Sequence, residues 1–292
     1  MENVALPGDK PVLLIAKKSF FEVYGLEKRD AHFLTLMRSD SDLSRRLKSA
    51  HDENRRAVEK VRDHLRRQGV VHVVSDVMSR QLGDGASLVV SVGGDGTLLM
   101  ASHGVYEVPV LGINSRPGHS VGHFCAADID TFTAVLDSVF SGTHALSELT
   151  RMDLFINDER KLPPVLNDAL YCAVSPGASS VYSLDFPHRS EVQKSSGIWF
   201  STPAGSTAAI RSAGGYPMEL DDRQIQFRVR ELYHPRSTDP SSVAGTFTEG
   251  VSVMNLTPEA VVLLDGSRIQ LEVRYGDIVH PRVSEHPLRI FL

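Results

Sequence analysis

The chain has 292 residues, 41% hydrophobic and 23% charged, with a formal net charge of −5 and two cysteines. That length suits one large domain or two modest ones, with enough core to need no staples. The acidic balance excludes a general nucleic-acid binder, the cysteine count a disulfide framework, and the absence of a long apolar run a membrane span.

Residues 1–9 lack the basic and apolar regions of a signal peptide, so a cytoplasmic protein is expected. Residues 12–16 form a short apolar run of the kind found in a buried strand. The spacing predicts a helix over 42–68: Leu43, Leu47, Ala50, Val58, Val61 and Leu65 fall on one face. Asp40 to Asp42 offer caps and Gly69 stops it. The basic residues of 45–67 alternate with acids and read as a solvated face. Residues 70–74, 88–92 and 108–113 read as further strands. Strands alternating with helix predict a parallel sheet that binds ligands at the carboxyl ends of its strands.

The most informative stretch follows the third strand, Ser91-Val-Gly-Gly-Asp-Gly-Thr-Leu-Leu-Met100. Glycines let the backbone approach a ligand closely, so N–H groups at the helix start can face phosphate oxygens. A carboxylate repels phosphate, so Asp95 makes sense where it faces a hydroxyl about to accept a phosphoryl group, or holds a metal ion. The pattern predicts a kinase for a small hydroxyl-bearing molecule. His103, one turn on, is suited equally to phosphate or to the helix surface. In the Gly-, His- and Pro-rich stretch 112–125, His119, His123 and Cys125 are zinc-ligand types. Gly118 and Gly122 oppose a helical presentation and no fourth ligand is evident, so no metal site is predicted.

Residues 130–140 fit an amphipathic helix with Phe132, Val135, Leu136, Val139 and Phe140 inward. Beyond it the period becomes two, as in Met152, Leu154, Ile156 and again in Ile225, Phe227, Val229. Residues 261–264 and 269–273 flank Asp265-Gly266-Ser267, a hairpin signal. The second half is therefore read as mostly antiparallel β. The expected domains are 1–127, 128–280 and a tail, 281–292, able to return to the first. Trp199 is read as core, and Cys125 and Cys172 as buried free thiols.

A second glycine-rich segment, Ser195-Ser-Gly-Ile-Trp-Phe-Ser-Thr-Pro-Ala-Gly-Ser-Thr-Ala-Ala-Ile-Arg-Ser-Ala-Gly-Gly215, sends a strand into a turn dense in hydroxyls. Its N–H groups and hydroxyls suit phosphate or ribose, and its alanines leave room for a flat base. Together with Gly-Gly-Asp-Gly-Thr and Asn167-Asp168, in this order, the chain from about residue 85 to 280 resembles the NAD kinase family. The 112–125 crossover and Lys194-Ser-Ser-Gly197 are similar to its mitochondrial and plant NADH-kinase branch.

The resemblance implies an α/β protein: a Rossmann-like parallel-sheet domain, then a mostly antiparallel β-sandwich. It implies ATP-dependent phosphorylation, with Mg2+ or another divalent cation, of the adenosine-ribose 2′-hydroxyl of NAD or NADH. Asp95 would be the base, with Gly96 beside it, and Gly93, Gly94 and Thr97 would take the ATP phosphates. Asn167 and Asp168 would hold the acceptor ribose. Thr207 and Ala208 would line the adenine pocket, with Ser212, Lys194 and Ser196 also at the acceptor. It further implies a homodimer or higher homo-oligomer, with no nucleic-acid or membrane partner. Three residues depart from the common family pattern: Ser196 for Asp, Asp168 for Glu and Ala209 for Tyr. Two other readings are weighed. Lipid kinases share Gly-Gly-Asp-Gly-Thr but continue with a Gly-Thr-x-Asn-Asp-type stretch, where this chain has Val110-Leu-Gly-Ile-Asn-Ser115. A catalytically silent nucleotide-binding module would explain Ala209 and Ser196 but not the retained Asp95.

Overall fold

The computed structural model describes residues 10–39, 41–76, 79–233 and 243–292; Asp40, a candidate cap, lies outside them. The chain divides into two compact units, Met1–Ser147 with Arg289–Leu292, and Glu148–Leu288. No described helix is long and apolar enough to cross a membrane.

The first unit is built on a twisted sheet in the order His72–Ser75, Val12–Ile15, Leu88–Gly93, Val110–Asn114, Leu288–Phe291, Leu146–Leu149. The first five of these run parallel. Leu88–Gly93 and Val110–Asn114 are buried at every residue, as strands covered on both faces must be. His72–Ser75 differs, with Val73 49% and Val74 42% exposed, because it is the edge strand. The strands His72–Ser75 and Leu88–Gly93 lie on opposite sides of Val12–Ile15. The chain therefore reverses its winding direction between the carboxyl ends of Val12–Ile15 and Leu88–Gly93, where a crevice opens in this class of sheet.

The helix Asp42–Arg67 forms as expected, and its buried face keeps Val61 and Leu65, with Val58 against the core, but loses Leu43 and takes in polar residues. Ser44, His51, Ala57, Val61, His64 and Leu65 are buried, while Leu43 is 52% exposed. The polar members of that face are satisfied: Ser44 donates to the Ser39 carbonyl, and His51 and His64 pair with Ser19 and Asp137. The helix Phe132–Phe140 starts two residues later than the periodicity suggests, because the Asp128 carboxylate takes the N–H groups of Asp130 and Thr131. Phe132, Leu136 and Val139 pack with Val12, Leu14 and Leu88. This helix thus belongs to the first unit, although the sequence boundary stood before it.

The second unit is a β-sandwich. One sheet runs Arg189–Ser195, Ser180–Phe186, Ser252–Asn255, Ile278–Val283, Met152–Ile156, Glu159–Val165. The other runs Ala244–Phe247, Ile225–Val229, Ile198–Ser201, Asp168–Ala173, Ala260–Leu264, Ile269–Val273. Met152, Leu154, Tyr182 and Val279 from the first meet Tyr171, Phe200, Phe227 and Val262 from the second in one core. Within it the Tyr171 hydroxyl donates to Asn255 at 2.6 Å, and the Asn255 amide donates to the Val273 and Arg274 carbonyls. The hairpin of Ala260–Leu264 with Ile269–Val273 turns through Asp265 and Gly266, both at positive φ.

Candidate active site

The strand Leu88–Gly93 ends at a helix, Asp95–Ser102, whose N-cap is Gly94. A Cβ on Gly93 would lie 2.2 Å from the Thr97 hydroxyl oxygen, and one on Gly94 2.2 Å from that of Ser120. A side chain at either position would force its neighbour to move. The Thr97 N–H already donates to the Gly94 carbonyl at 2.9 Å, so the N–H groups of Asp95 and Gly96 are the ones a ligand could take. Gly96 has open space around it and is exposed. Thr97 is buried and braces Gly93. A phosphate-bearing group is what this cradle suits.

Asp95 lies half-buried in the first turn, and its Oδ1 accepts the Phe124 N–H at 3.0 Å. That donor belongs to the crossover after Val110–Asn114, which folds back over the turn. Asn114 shapes the crossover, its amide donating to the Ser120 carbonyl at 2.9 Å and its Oδ1 accepting the Arg116 N–H at 3.1 Å. Gly112 and Gly122 make the close approach possible: a Cβ would strike Leu98 at 2.7 Å and the Asn114 amide at 2.5 Å. Ser120 and Phe124 are parts of the site that motif reading passed over, since their contribution comes through close packing and a backbone N–H.

In the second unit Asn167 and Asp168 stand at the start of the strand Asp168–Ala173. Asp265, which the sequence marks only as a turn residue, organises them across the sheet. Its carboxylate accepts the N–H groups of Leu166, Asn167 and Asp168 at 3.0, 2.7 and 3.2 Å. Thr202 donates its backbone N–H to the Asn167 carbonyl at 3.0 Å and its hydroxyl to the Leu166 carbonyl. Gly205 seats directly on Asn167, where a Cβ would lie 2.0 Å from the carbonyl oxygen. The Asn-Asp pair and the Thr202–Gly205 turn are thus one structure.

Two features of this pair point to a ligand. The Asn167 Oδ1 is buried with no hydrogen-bond partner among the described residues, an arrangement that costs about 1–3 kcal/mol until something donates to it. Asp168 is 5% exposed, and burial, with the Asp265 charge adding to it, raises its carboxyl to about 7.

Thr207, Ala208, Ala209 and Ser212 follow along the turn Ala204–Thr207 and the short helix Ala209–Ser212. Ala208 is half-buried and the other three are exposed, while Ile210 points into the core. Lys194 and Ser196 stand elsewhere. Ser201 pairs with Asp168 and Ile198 with Tyr171, so Ser196 lies beyond the other end of the strand. At about 3.3 Å per residue that is roughly 15 Å from Asp168. Lys194 is exposed, its ammonium 5.7 Å from the centre of the Tyr233 ring.

Trp199 and the two cysteines resolve differently from expectation. Trp199 is half-buried, with Arg230 over its ring at 6.0 Å, because strand alternation sends Ile198 and Phe200 into the core instead. Cys125 and Cys172 are free but only partly buried. Burial, then the Asp95 charge, pushes the Cys125 thiol up to about 12, which leaves it unreactive at neutral pH. His103 caps the carboxyl end of the helix Asp95–Ser102. Among the described residues no group of three His, Cys, Asp or Glu is arranged to hold a metal ion. His123 is packed edge-on against Phe124.

Residues 12–144 match the family model of the ATP-NAD kinase N-terminal domain. A probable NADH kinase of Oryza sativa subsp. japonica is 34% identical over 248 residues, 76% of this chain and 75% of the relative. An NADH kinase of Arabidopsis thaliana is 34% identical over 260 residues, 78% and 77% of the two chains. An NAD kinase of Geobacter metallireducens is 30% identical, with coverage of 82% and 84%. In fold, the chain is similar to the crystal structure of an NAD kinase from Archaeoglobus fulgidus in complex with ATP. The TM-score is 0.67 at 20% identity, covering 80% of this chain and 89% of that one.

Proposed function

This chain belongs to the NAD kinase family, and from that premise we propose that it transfers the γ-phosphate of ATP to the 2′-hydroxyl of the adenosine ribose of NAD or NADH. The observation that carries the reading is the glycine cradle with a carboxylate fixed beside it. The Phe124 N–H holds Oδ1 of Asp95 and leaves Oδ2 for an acceptor hydroxyl. Phosphoryl transfer passes through a loose transition state, so positioning and charge stabilisation do most of the work. In the proposed step the 2′-oxygen bonds to the γ-phosphorus as the bond to the β–γ bridging oxygen breaks. The hydroxyl proton passes to Asp95, and ADP leaves.

Gly93, Gly94 and Thr97 serve the donor phosphates, and the divalent ion enters with the nucleotide as MgATP. Asn167 and Asp168 take the acceptor's ribose hydroxyls, which would satisfy the orphaned Asn167 Oδ1. Thr207, Ala208 and Ser212 flank the adenine. Lys194 and Ser196 are too far along the strand to share that ribose, so in this reading they serve another part of the dinucleotide. We infer assembly as a homodimer through the β-rich unit. Val192, in the edge strand Arg189–Ser195, is 67% exposed and Tyr233 is 64% exposed, apolar surface that a second copy would cover.

Product analysis after incubation with MgATP and, separately, NAD, NADH and a diacylglycerol tests the assignment. NADP or NADPH is the expected product. A phosphorylated lipid, or no product from folded protein, overturns it. Ala209 offers a smaller test. It is exposed beside the inward-pointing Ile210, so a ring there does not overpack this unit. Ala209→Tyr is expected to tighten the acceptor by about 0.5–1.5 kcal/mol through stacking, with Tm unchanged. Weaker acceptor binding at unchanged Tm would mean that the adenine lies elsewhere.

A further inference from the structure

The helix Asp42–Arg67 and the turn at residues 115–119 border an open recess of about 370 Å3 whose lining is strongly basic, with Arg56 and Lys60 exposed at its rim. Arg56, Lys60, Arg116 and His119 face it above an apolar floor that includes Ala57 and Ile129. Its one acid, Glu53, is already engaged, accepting from the Ser49 hydroxyl and from Arg116 Nε at 2.8 Å. These partners hold the Glu53 carboxyl below the usual range, so it remains a charged partner for Arg116. Arg56 and Lys60, four residues apart on one helix face, have no acid partner among the described residues. Arg56 and Lys60, beside an Arg116 already paired with Glu53, leave a local excess of positive charge over apolar surface in a net-negative chain.

We propose that this cavity is an anion site for the phosphate groups of a phosphorylated small molecule, separate from the donor turn. Guanidinium and ammonium donors converging on a recess suit phosphate oxygens. The apolar floor suits the carbon skeleton that carries them. None of residues 93–97 and none of residues 120–125 lines the cavity, so an occupant there leaves the glycine cradle and Asp95 free.

Arg116 joins this site to the catalytic carboxylate. Its backbone N–H is held by Asn114, Asn114 holds Ser120, Ser120 packs on Gly94, and the same crossover supplies the Phe124 N–H to Asp95. An anion that draws the Arg116 guanidinium away from Glu53 releases one fastening of that crossover. The site is therefore inhibitory and acts on kcat. This second part rests on the kinase reading; the binding itself does not.

Calorimetric titration of the full chain with metal-free pyrophosphate, wild type against an R56Q/K60Q double variant, tests the site. Both side chains lie on the outer helix, away from the proposed catalytic residues. The variant is expected to bind pyrophosphate about tenfold or more weakly, having lost two charged donors, while Tm, kcat and the KM for ATP stay unchanged. At constant free Mg2+, pyrophosphate should lower the kcat of the wild type more than that of the variant. Equal pyrophosphate affinity in the two proteins overturns the site. A raised KM for ATP in the variant also overturns it, by making the cavity part of the donor pocket. Loss of the kinase reading would leave the binding comparison intact, so the two failures are distinguishable.

Discussion

Asp95→Asn is expected to lower kcat by about 100-fold or more while leaving Tm unchanged, the range spanned by losing a positioned general base. The substitution isolates the proton-accepting role. An asparagine side chain keeps an oxygen where Oδ1 accepts the Phe124 N–H, so the crossover stays seated. What it loses is negative charge and a site for the hydroxyl proton. Asp95 stands half-buried at the first turn of a helix, placed to orient the acceptor hydroxyl as well as to take its proton. The KM for ATP should change little, since the donor phosphates meet the glycines. Turnover within a few-fold of wild type would remove Asp95 from the chemistry and with it the central role proposed here. Asp95→Ala separates the structural contribution. It strands the Phe124 N–H as well, and any further loss beyond the Asn variant measures the crossover's dependence on this carboxylate.

Much of this site is legible in the sequence because its chemistry demands rare local combinations. Gly93 and Gly94 are required by neighbours 2.2 Å from where a Cβ would stand, and that need appears directly as a pair of glycines around a strand end. The sandwich is equally legible, since Met152, Leu154 and Ile156 must alternate to reach one core. Contacts made by ordinary residues across long separations leave no such trace. Asp265 looks like any Asp-Gly turn, yet it binds the N–H groups of residues nearly a hundred positions earlier. The Phe124 N–H on Asp95 is a backbone group whose placement depends on Asn114, Gly112 and Gly122 acting together. The face of the helix Asp42–Arg67 is read correctly at Val61 and Leu65, with Val58 packed on the core, but not at Leu43, for a related reason. A reading based on apolar residues selects Leu43, whereas Ser44, His51 and His64 are buried because each finds a polar partner. Trp199 carries the opposite lesson: its bulk suggests core, but the period of two assigns it to the outer face.

Asp168→Ala is expected to raise the KM for NAD or NADH by about 10–100-fold, the worth of hydrogen bonds to a charged group, with a much smaller effect on the KM for ATP. The pH dependence makes the assignment specific. Burial, with the Asp265 charge adding to it, raises the Asp168 carboxyl from 3.8 to about 7 in the free protein. Between those values the folded chain holds a proton that the unfolded chain has released. Stability therefore falls as pH rises through that window, and the contribution of this group is level on either side of it. Asp168→Asn should flatten that slope. Acceptor binding has the opposite sign, because ribose hydroxyls donate to the ionised carboxylate and binding below pH 7 must expel the proton. Affinity for the dinucleotide should thus rise with pH, approaching about tenfold per unit well below 7, and level off above it. The Asn variant should bind with no such slope. If the wild type and the Asn variant share the same pH profile, the titrating group is some other residue, and Asp168 serves the fold of the Asn167 turn instead of the acceptor. If instead the KM for ATP carries the effect, the pair holds the donor, and the proposed division of ligands between the glycine cradle and this turn must be reversed.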